Sequence, residues 1–270
     1  FVLFGLLDDA GIKIRARYKI FGHLLFSLIF VCLTGLSFNL FRVQPINCIL
    51  TACFITFMTN STNMLDGMDG LVTGVALWAS LFFALIAFNN NMPQLTLLCL
   101  ALSGACLGFL RYNFNPASIF LGECGSTLIG YLLAIFSLKL KIFKLWSVAI
   151  LLEIPRLQFI SFIIPLIILG IPIFDTFFVF INRFFNHIKM STPGKDHSHH
   201  RIHLMGLSQK ATVLTIYAVQ IVLGAIALTM VNSDLQQFWA LLLIAFVLAV
   251  FVWNFLLRVR VYSPDEAAAN

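Results

Sequence analysis

The chain has 270 residues, of which 60% are hydrophobic and 10% charged, with a mean hydropathy of +0.98 and a net charge of +6. A soluble domain carries roughly 25% charged residues, and a water-facing surface built from this composition would expose apolar area on a scale that excludes a soluble monomer. The basic residues lie in short connections beside apolar runs, a pattern that suits an anionic membrane surface rather than nucleic acid.

The chain opens inside an apolar run, FVLFGLL, without an initiator Met, a basic region or a cleavage site. The expectation is the end of a spanning helix whose beginning lies upstream, not a signal peptide. Further candidate spans cover residues 20–38, 46–59, 71–88, 95–110, 126–138, 159–174, 211–231 and 238–257. With the opening run they make about nine crossings of a core roughly 30 Å thick, each a helix that satisfies its own backbone. The predicted fold is therefore all-α, a polytopic helix bundle forming one membrane-embedded domain over 1–270, with a histidine-rich loop at 186–206. Cys32, Cys48, Cys53, Cys99, Cys106 and Cys124 have no CxxC spacing and read as small apolar residues.

Alternating sides along the chain puts Lys13, Arg15, Arg17, Lys19, Arg111, Arg183, Lys189, Lys195, Arg201, Arg258 and Arg260 on one face. Arg42, Lys139, Lys141 and Lys144 fall on the other, and the positive-inside rule makes the first face cytoplasmic. That face also collects nearly all the groups able to do chemistry. The stretch 139–158, with Glu153 and Arg156, fits either an interfacial helix or half of a broken span.

Asp8 and Asp9 end the first run; adjacent carboxylates need a metal ion, a shared proton or solvent. Residues 60–70, NSTNMLDGMDG, set Asp66 and Asp69 three apart, on one helical face, among amides and glycines. Such hard oxygen ligands suit Mg²⁺; an Asx-rich turn is the alternative. In RYNFNPASIFLGECGS at 111–126, Glu123 is a candidate cation ligand, and Phe120 either packs or stacks on a planar base. In PGKDHSHHRIH at 193–203 the histidines fit a polyanion, zinc or a solvated loop. No cysteine lies nearby, and Lys195 and Arg201 argue against a cation. No P-loop, GxGxxG, nucleophile elbow or HExxH occurs.

The pieces GLLDD, NSTNMLDGMDG, YNFNPASIFLGECGS, GIPIFDT and HSHHR, in this order, resemble the polyprenyl-phosphate N-acetylhexosamine-1-phosphate transferases. That superfamily includes the enzymes that start O-antigen, enterobacterial common antigen and teichoic-acid linkage synthesis, and the phospho-MurNAc-pentapeptide translocase. The form of the second and fifth pieces is more similar to the antigen and teichoic-acid branch. The resemblance implies transfer of a sugar-1-phosphate from a UDP-N-acetylhexosamine to undecaprenyl phosphate at the inner membrane, releasing UMP. It implies Mg²⁺, with Mn²⁺ as an alternative ion, and a homodimer. By the same resemblance Asp8, Asp9 and Asp66 are catalytic, and Asp66, Glu123 and Asp9 hold the metal. Asn60, Asn63, Asp69, Asn113, Phe120, His197, His199, His200 and Arg201 bind substrate. The family usually has Asp at the position of Glu123, and many relatives have Asp at the position of Gly194. A transporter and a non-catalytic scaffold are the readings from other classes.

Overall fold

The computed structural model describes residues 1–12, 14–38, 40–142, 158–189, 194–259 and 261. In chain order the helices are α1 (Val2–Asp9), α2 (Ala16–Thr34), α3 (Gln44–Leu65), α4 (Leu71–Asn89), α5 (Pro93–Asn113) and α6 (Gly122–Lys139). They continue with α7 (Gln158–Ile168), α8 (Gly170–Phe185), α9 (Ser198–Leu204), α10 (Gln209–Asn232) and α11 (Leu235–Leu257). Their ends follow local chemistry. Pro45 and Pro93 stand in first turns, where a missing N–H costs nothing. Gly35 closes α2 in the left-handed region. Asp234 and Gln237 form a capping box on α11.

Helices α2, α3, α4, α5, α10 and α11 are long and apolar enough to cross a bilayer. A seventh crossing arises if Phe162–Ile168 and Gly170–Phe185, which meet at 77°, act as one broken span. The chain is thus an all-α polytopic membrane bundle with six or seven apolar spans among the described residues, against the roughly nine expected from apolar runs. α1 has eight residues, and α6 carries Glu123 and Lys139 near its ends. Most of the ambiguous stretch 139–158, including Glu153 and Arg156, lies outside the described residues.

α4 is the centre of the bundle, with 78% of its apolar window buried, whereas α11 buries 6% and lies at the periphery. α5 and α10 pack on α4, while α3 packs between α2 and α6. α1 lies along α6. Two reciprocal close approaches join α4 to α10. A Cβ at Gly74 would lie 1.9 Å from the Tyr217 ring, and one at Gly224 would lie 2.0 Å from Phe82. Gly224→Leu therefore overpacks this seam, at a cost of about 1–3 kcal/mol. A lower thermal midpoint of the detergent-solubilised chain is the expected result; an unchanged midpoint would contradict the packing.

The bend at Leu169 frees backbone groups inside the apolar core, where an unpaired one is costly. The fully buried Gln220 on α10 donates its Nε2 to the Ile168 carbonyl at 2.8 Å, so a polar side chain within a span serves the break.

Candidate active site

The C-terminal ends of α1, α3, α5 and α11 and the N-terminal ends of α2, α4, α6 and α10 meet on one face of the bundle. Side-chain contacts across that face fix its geometry. Asp9 reaches the start of α6, where its Oδ1 accepts the Glu123 N–H at 3.0 Å and its Oδ2 the Cys124 N–H at 3.0 Å. The carboxylate thus caps a helix 114 residues away, and the helix dipole favours its charge. Gly122 makes this approach fit, because its φ of 70° and the nearness of Asp9 both exclude a side chain.

Asp8 turns instead to Lys19 on α2, 3.0 Å away, and the same ammonium lies 2.6 Å from Glu123 Oε2. The two neighbouring carboxylates at 8 and 9 therefore hold different partners. Glu123 Oε1 is buried and has no hydrogen-bond partner.

The segment at 60–70 is split between α3 and the turn that follows it. Asn60 donates to the Thr56 carbonyl at 2.7 Å and lies 3.3 Å from the His23 ring on α2. Asn63 accepts from Ser126 of α6 at 2.7 Å. Asp69 Oδ2 accepts from Asn115 at 2.9 Å and from the Ala117 N–H at 3.2 Å, and Asn115 also donates to Gln209 of α10 at 2.9 Å. Burial, then the charges of Asp9 and Asp69, push the Asp66 carboxyl up to about 7. Asp9, Asp66 and Asp69 thus form one electrostatic cluster.

Asn113, expected to touch a nucleoside, is buried, and its amide is used at both ends. Its oxygen accepts from Thr73 at 2.8 Å, and its nitrogen donates to the Ile119 carbonyl at 2.9 Å. It anchors the loop that presents Phe120. That ring is 74% exposed, as a stacking surface needs to be.

The histidine segment folds onto α8. Asp175, fully buried, accepts from His197 Nδ1 at 2.7 Å and from the Ser198 N–H and hydroxyl at 2.7 and 2.6 Å. Burial disfavours the His197 cation, but the hydrogen bond and charge of Asp175 outweigh it and raise the His197 pKa. His199 is fully buried; burial pushes it down to about 3, and neither ring nitrogen has a hydrogen-bond partner. Its ring lies against Gly67, so close that a Cβ there would fall 2.3 Å from Nε2. The His200 ring lies 4.3 Å from that of His199, tilted by 46°, and is half-buried. Asp175, His197 and His199 together could hold a divalent metal ion.

Arg201, expected to grip phosphate, points elsewhere. Its guanidinium donates to the Leu256 and Val259 carbonyls at 3.1 and 2.6 Å, donates to the Asp196 carbonyl at 3.2 Å, and lies over Phe178. It ties α9 to the end of α11, whose terminal carbonyls need donors. Arg183 makes a two-pronged pair with Asp196 at 2.7 and 2.8 Å, both side chains buried.

The structure thus gathers Asp8, Asp9, Asp66, Asp69, Glu123, His197, His199 and His200 on one face, with Asn60, Asn63, Asn113 and Arg201 supporting it. Lys19, Asp175, Asn115 and Gln209 join them. Asp175 stood in the GIPIFDT piece and Lys19 in the basic run, and either could have been drawn from there. Asn115 and Gln209 carried no distinguishing pattern.

Residues 1–141 match a family model described as Glycosyl transferase family 4. Over 260 residues the chain is 34% identical to the probable undecaprenyl-phosphate N-acetylglucosaminyl 1-phosphate transferase of Bacillus subtilis (strain 168), covering 93% of this chain and 68% of that one. It is 35% identical over 153 residues to the phospho-N-acetylmuramoyl-pentapeptide-transferase of Moorella thermoacetica, covering 48% of this chain and 47% of the relative. The protein of that name from Bacillus cytotoxicus is 27% identical over 252 residues, covering 84% and 70%.

Proposed function

The chain belongs to glycosyl transferase family 4 as a polyprenyl-phosphate sugar-1-phosphate transferase, and we propose that it moves an N-acetylhexosamine-1-phosphate from a UDP-sugar to undecaprenyl phosphate. The reaction runs on the cytoplasmic side of the bacterial inner membrane and begins a cell-envelope polysaccharide. The observation that carries this reading is Asp66, pushed up to about 7 by burial and by the charges of Asp9 and Asp69. A buried carboxyl crowded by two neighbouring carboxylates is suited to a divalent cation and a phosphate substrate.

Carboxylate oxygens are the ligands Mg²⁺ takes, with Mn²⁺ as an alternative. Asp66 and the orphaned, buried Glu123 Oε1 would hold it, with Asp9 behind them. When bound, the ion neutralises charge on the diphosphate and on departing UMP. In the transfer, a lipid-phosphate oxygen forms a bond to the phosphorus bearing the sugar as the bond from that phosphorus to UMP breaks. Lys19, between Asp8 and Glu123, keeps two acidic side chains from repelling the incoming phosphate. Phe120 offers its exposed face to the uracil ring. His197, held by Asp175, and His200 face the sugar phosphate, and His199 shapes the wall beside Gly67. Arg201 and Asn113 act by holding α9 and the Phe120 loop in place.

Both Asp9 oxygens accept backbone N–H groups, which lowers their nucleophilicity and favours direct displacement over an aspartyl-phosphate. The whole chain is read as one membrane-embedded transferase domain, with 186–206 as its histidine-rich loop and a homodimer as its assembly. Match over 93% of the chain favours the GlcNAc-type relative over the pentapeptide transferases.

The test is UMP release and lipid-linked product in membranes supplied with undecaprenyl phosphate, Mg²⁺ and, separately, UDP-GlcNAc, UDP-GalNAc or UDP-MurNAc-pentapeptide. Product from an N-acetylhexosamine donor supports the reading. Product from the pentapeptide donor alone moves the enzyme to the other branch.

Asp66 also sets a pH dependence. Its pKa is raised on folding from 3.8 to about 7. Stability from this group is full below its unfolded pKa and is lost as pH rises through the folded one. Mg²⁺ must displace the proton, so its affinity falls below pH 7, by up to about tenfold per unit. The Mg²⁺-induced rise in thermal midpoint is expected to be larger at pH 8 than at pH 6, and Asp66→Asn should remove that difference. An equal rise at both pH values in the unsubstituted chain would exclude Asp66 as the ligand.

A further inference from the structure

Asn115 lies in the connection between α5 and α6, and its half-buried side chain is shared between two other parts of the fold. Its Nδ2 donates to Asp69 Oδ2 at 2.9 Å and to Gln209 Oε1 at 2.9 Å, so both amide hydrogens are used. A carboxylate oxygen accepts and does not donate, which fixes the nitrogen end of the amide toward Asp69. We propose that Asn115 is a positioning residue for the transfer: it straps the loop that presents Phe120 to the turn carrying Asp66 and Asp69 and to the start of α10, so that nucleotide and diphosphate are held in one register. The inference deepens the transferase reading and rests on Phe120 as the uracil surface.

The loop is tied back to α5 by its own backbone. The Ser118 and Ile119 N–H groups donate to the Tyr112 carbonyl at 2.8 and 3.3 Å, and Asn113 donates to the Ile119 carbonyl at 2.9 Å. Its hydrogen bonds to the turn converge on one atom, Asp69 Oδ2, which accepts from Asn115 and from the Ala117 N–H at 3.2 Å. Bonds to a charged acceptor are stronger than neutral ones. With Oδ2 filled, Asp69 Oδ1 makes no hydrogen bond among the described residues, so the strap also sets which oxygen is left for a ligand. α10 holds the same turn at a second point, where the Tyr217 hydroxyl donates to the Gly70 carbonyl. Because α9 ends at Leu204 and α10 begins at Gln209, the strap also anchors the helix that follows the histidine segment.

Without the Asn115 amide the loop keeps its bonds to α5, and Phe120 is free to shift relative to the carboxylates. The loss falls on the nucleotide donor, which spans both segments. It spares undecaprenyl phosphate, whose phosphate enters beside Lys19. A general loss of folding would weaken both substrates alike, so the split between them separates positioning from mere stability.

UMP release by the full chain in membranes gives KM for the UDP-sugar and for undecaprenyl phosphate. Asn115→Ala and Gln209→Leu are expected to raise the UDP-sugar KM about tenfold and to leave that for undecaprenyl phosphate within about twofold. Gln209→Glu, which keeps an acceptor for Asn115, should restore the ordinary value, and Asn115→Ala combined with Gln209→Leu should be no worse than Asn115→Ala alone. Amide hydrogen exchange of the purified chain needs no turnover: the Ala117 N–H should exchange about tenfold faster, or more, in Asn115→Ala and Gln209→Leu. Unchanged exchange at Ala117 in both variants, equal rises in the two KM values, or additive effects of the pair would overturn the strap. Turnover with both KM values unchanged would overturn its positioning role and leave the transferase reading intact. No UMP from any donor would overturn that reading, and the role with it, whatever the exchange at Ala117.

Discussion

Asp66→Asn is expected to lower UMP release by a hundredfold to a thousandfold while leaving the protein folded. The size follows from removing a charged group that acts where charge develops, about 3–4 kcal/mol of transition-state stabilisation. The preserved fold follows from the same environment. Burial and the charges of Asp9 and Asp69 already oppose ionisation of this carboxyl, so a neutral amide of equal size relieves repulsion. Activity and thermal stability should therefore move in opposite directions, the mark of a site whose strain serves function. Matched amounts of the two proteins in membranes, assayed with and without Mg²⁺, give the comparison. Activity within threefold of the unsubstituted enzyme would remove Asp66 from the proposed metal site.

Gly67→Ala is the second large effect. No left-handed backbone demands glycine at 67, so the expected damage is steric and comes from one neighbour. The added methyl would sit 2.3 Å from His199 Nε2 and 3.1 Å from its Cε1. His199 is buried on all sides, so α9 must back away from the turn carrying Asp66. A shift of about 1 Å at reacting groups costs on the order of a hundredfold in rate, and overpacking costs about 1–3 kcal/mol of stability. A double-mutant cycle with His199→Ala isolates the contact. The pair should be less destabilised than the sum of the single changes. Additive effects would show that the methyl disturbs something else.

Much of the architecture is legible without coordinates, because crossing a bilayer imposes long apolar runs and intrahelical hydrogen bonding. That constraint exposes α2 to α5, α10 and α11. Among the described residues, α1, with eight residues, and α6, which begins at Gly122, are not among the six helices long and apolar enough to cross. Apolar runs report hydropathy, and the break at Leu169 depends on Gln220 arriving from a helix 52 residues away.

The candidate site divides in the same way. Asp66 and Asp69 announce themselves because carboxylates and amides concentrated between two spans are expensive without a partner. The partners themselves are not written locally. Lys19 and Glu123 are separated by 104 residues, and Asp69 reaches Asn115 across 46. Arg201 is the opposite case. A basic residue among histidines resembles a phosphate grip in the chain, but in the fold its donors meet the orphan carbonyls at the end of α11.

The sequence by itself therefore determined the solvent of this protein, its helical class, the face on which its acids and histidines gather, and its family. Tertiary structure decided which of those groups pair with each other and which remain available to a ligand. Hydropathy and spacing are properties of one segment. The charge on Asp66, the capping role of Asp9 and the unpartnered ring of His199 are set by burial and by groups that only packing brings near.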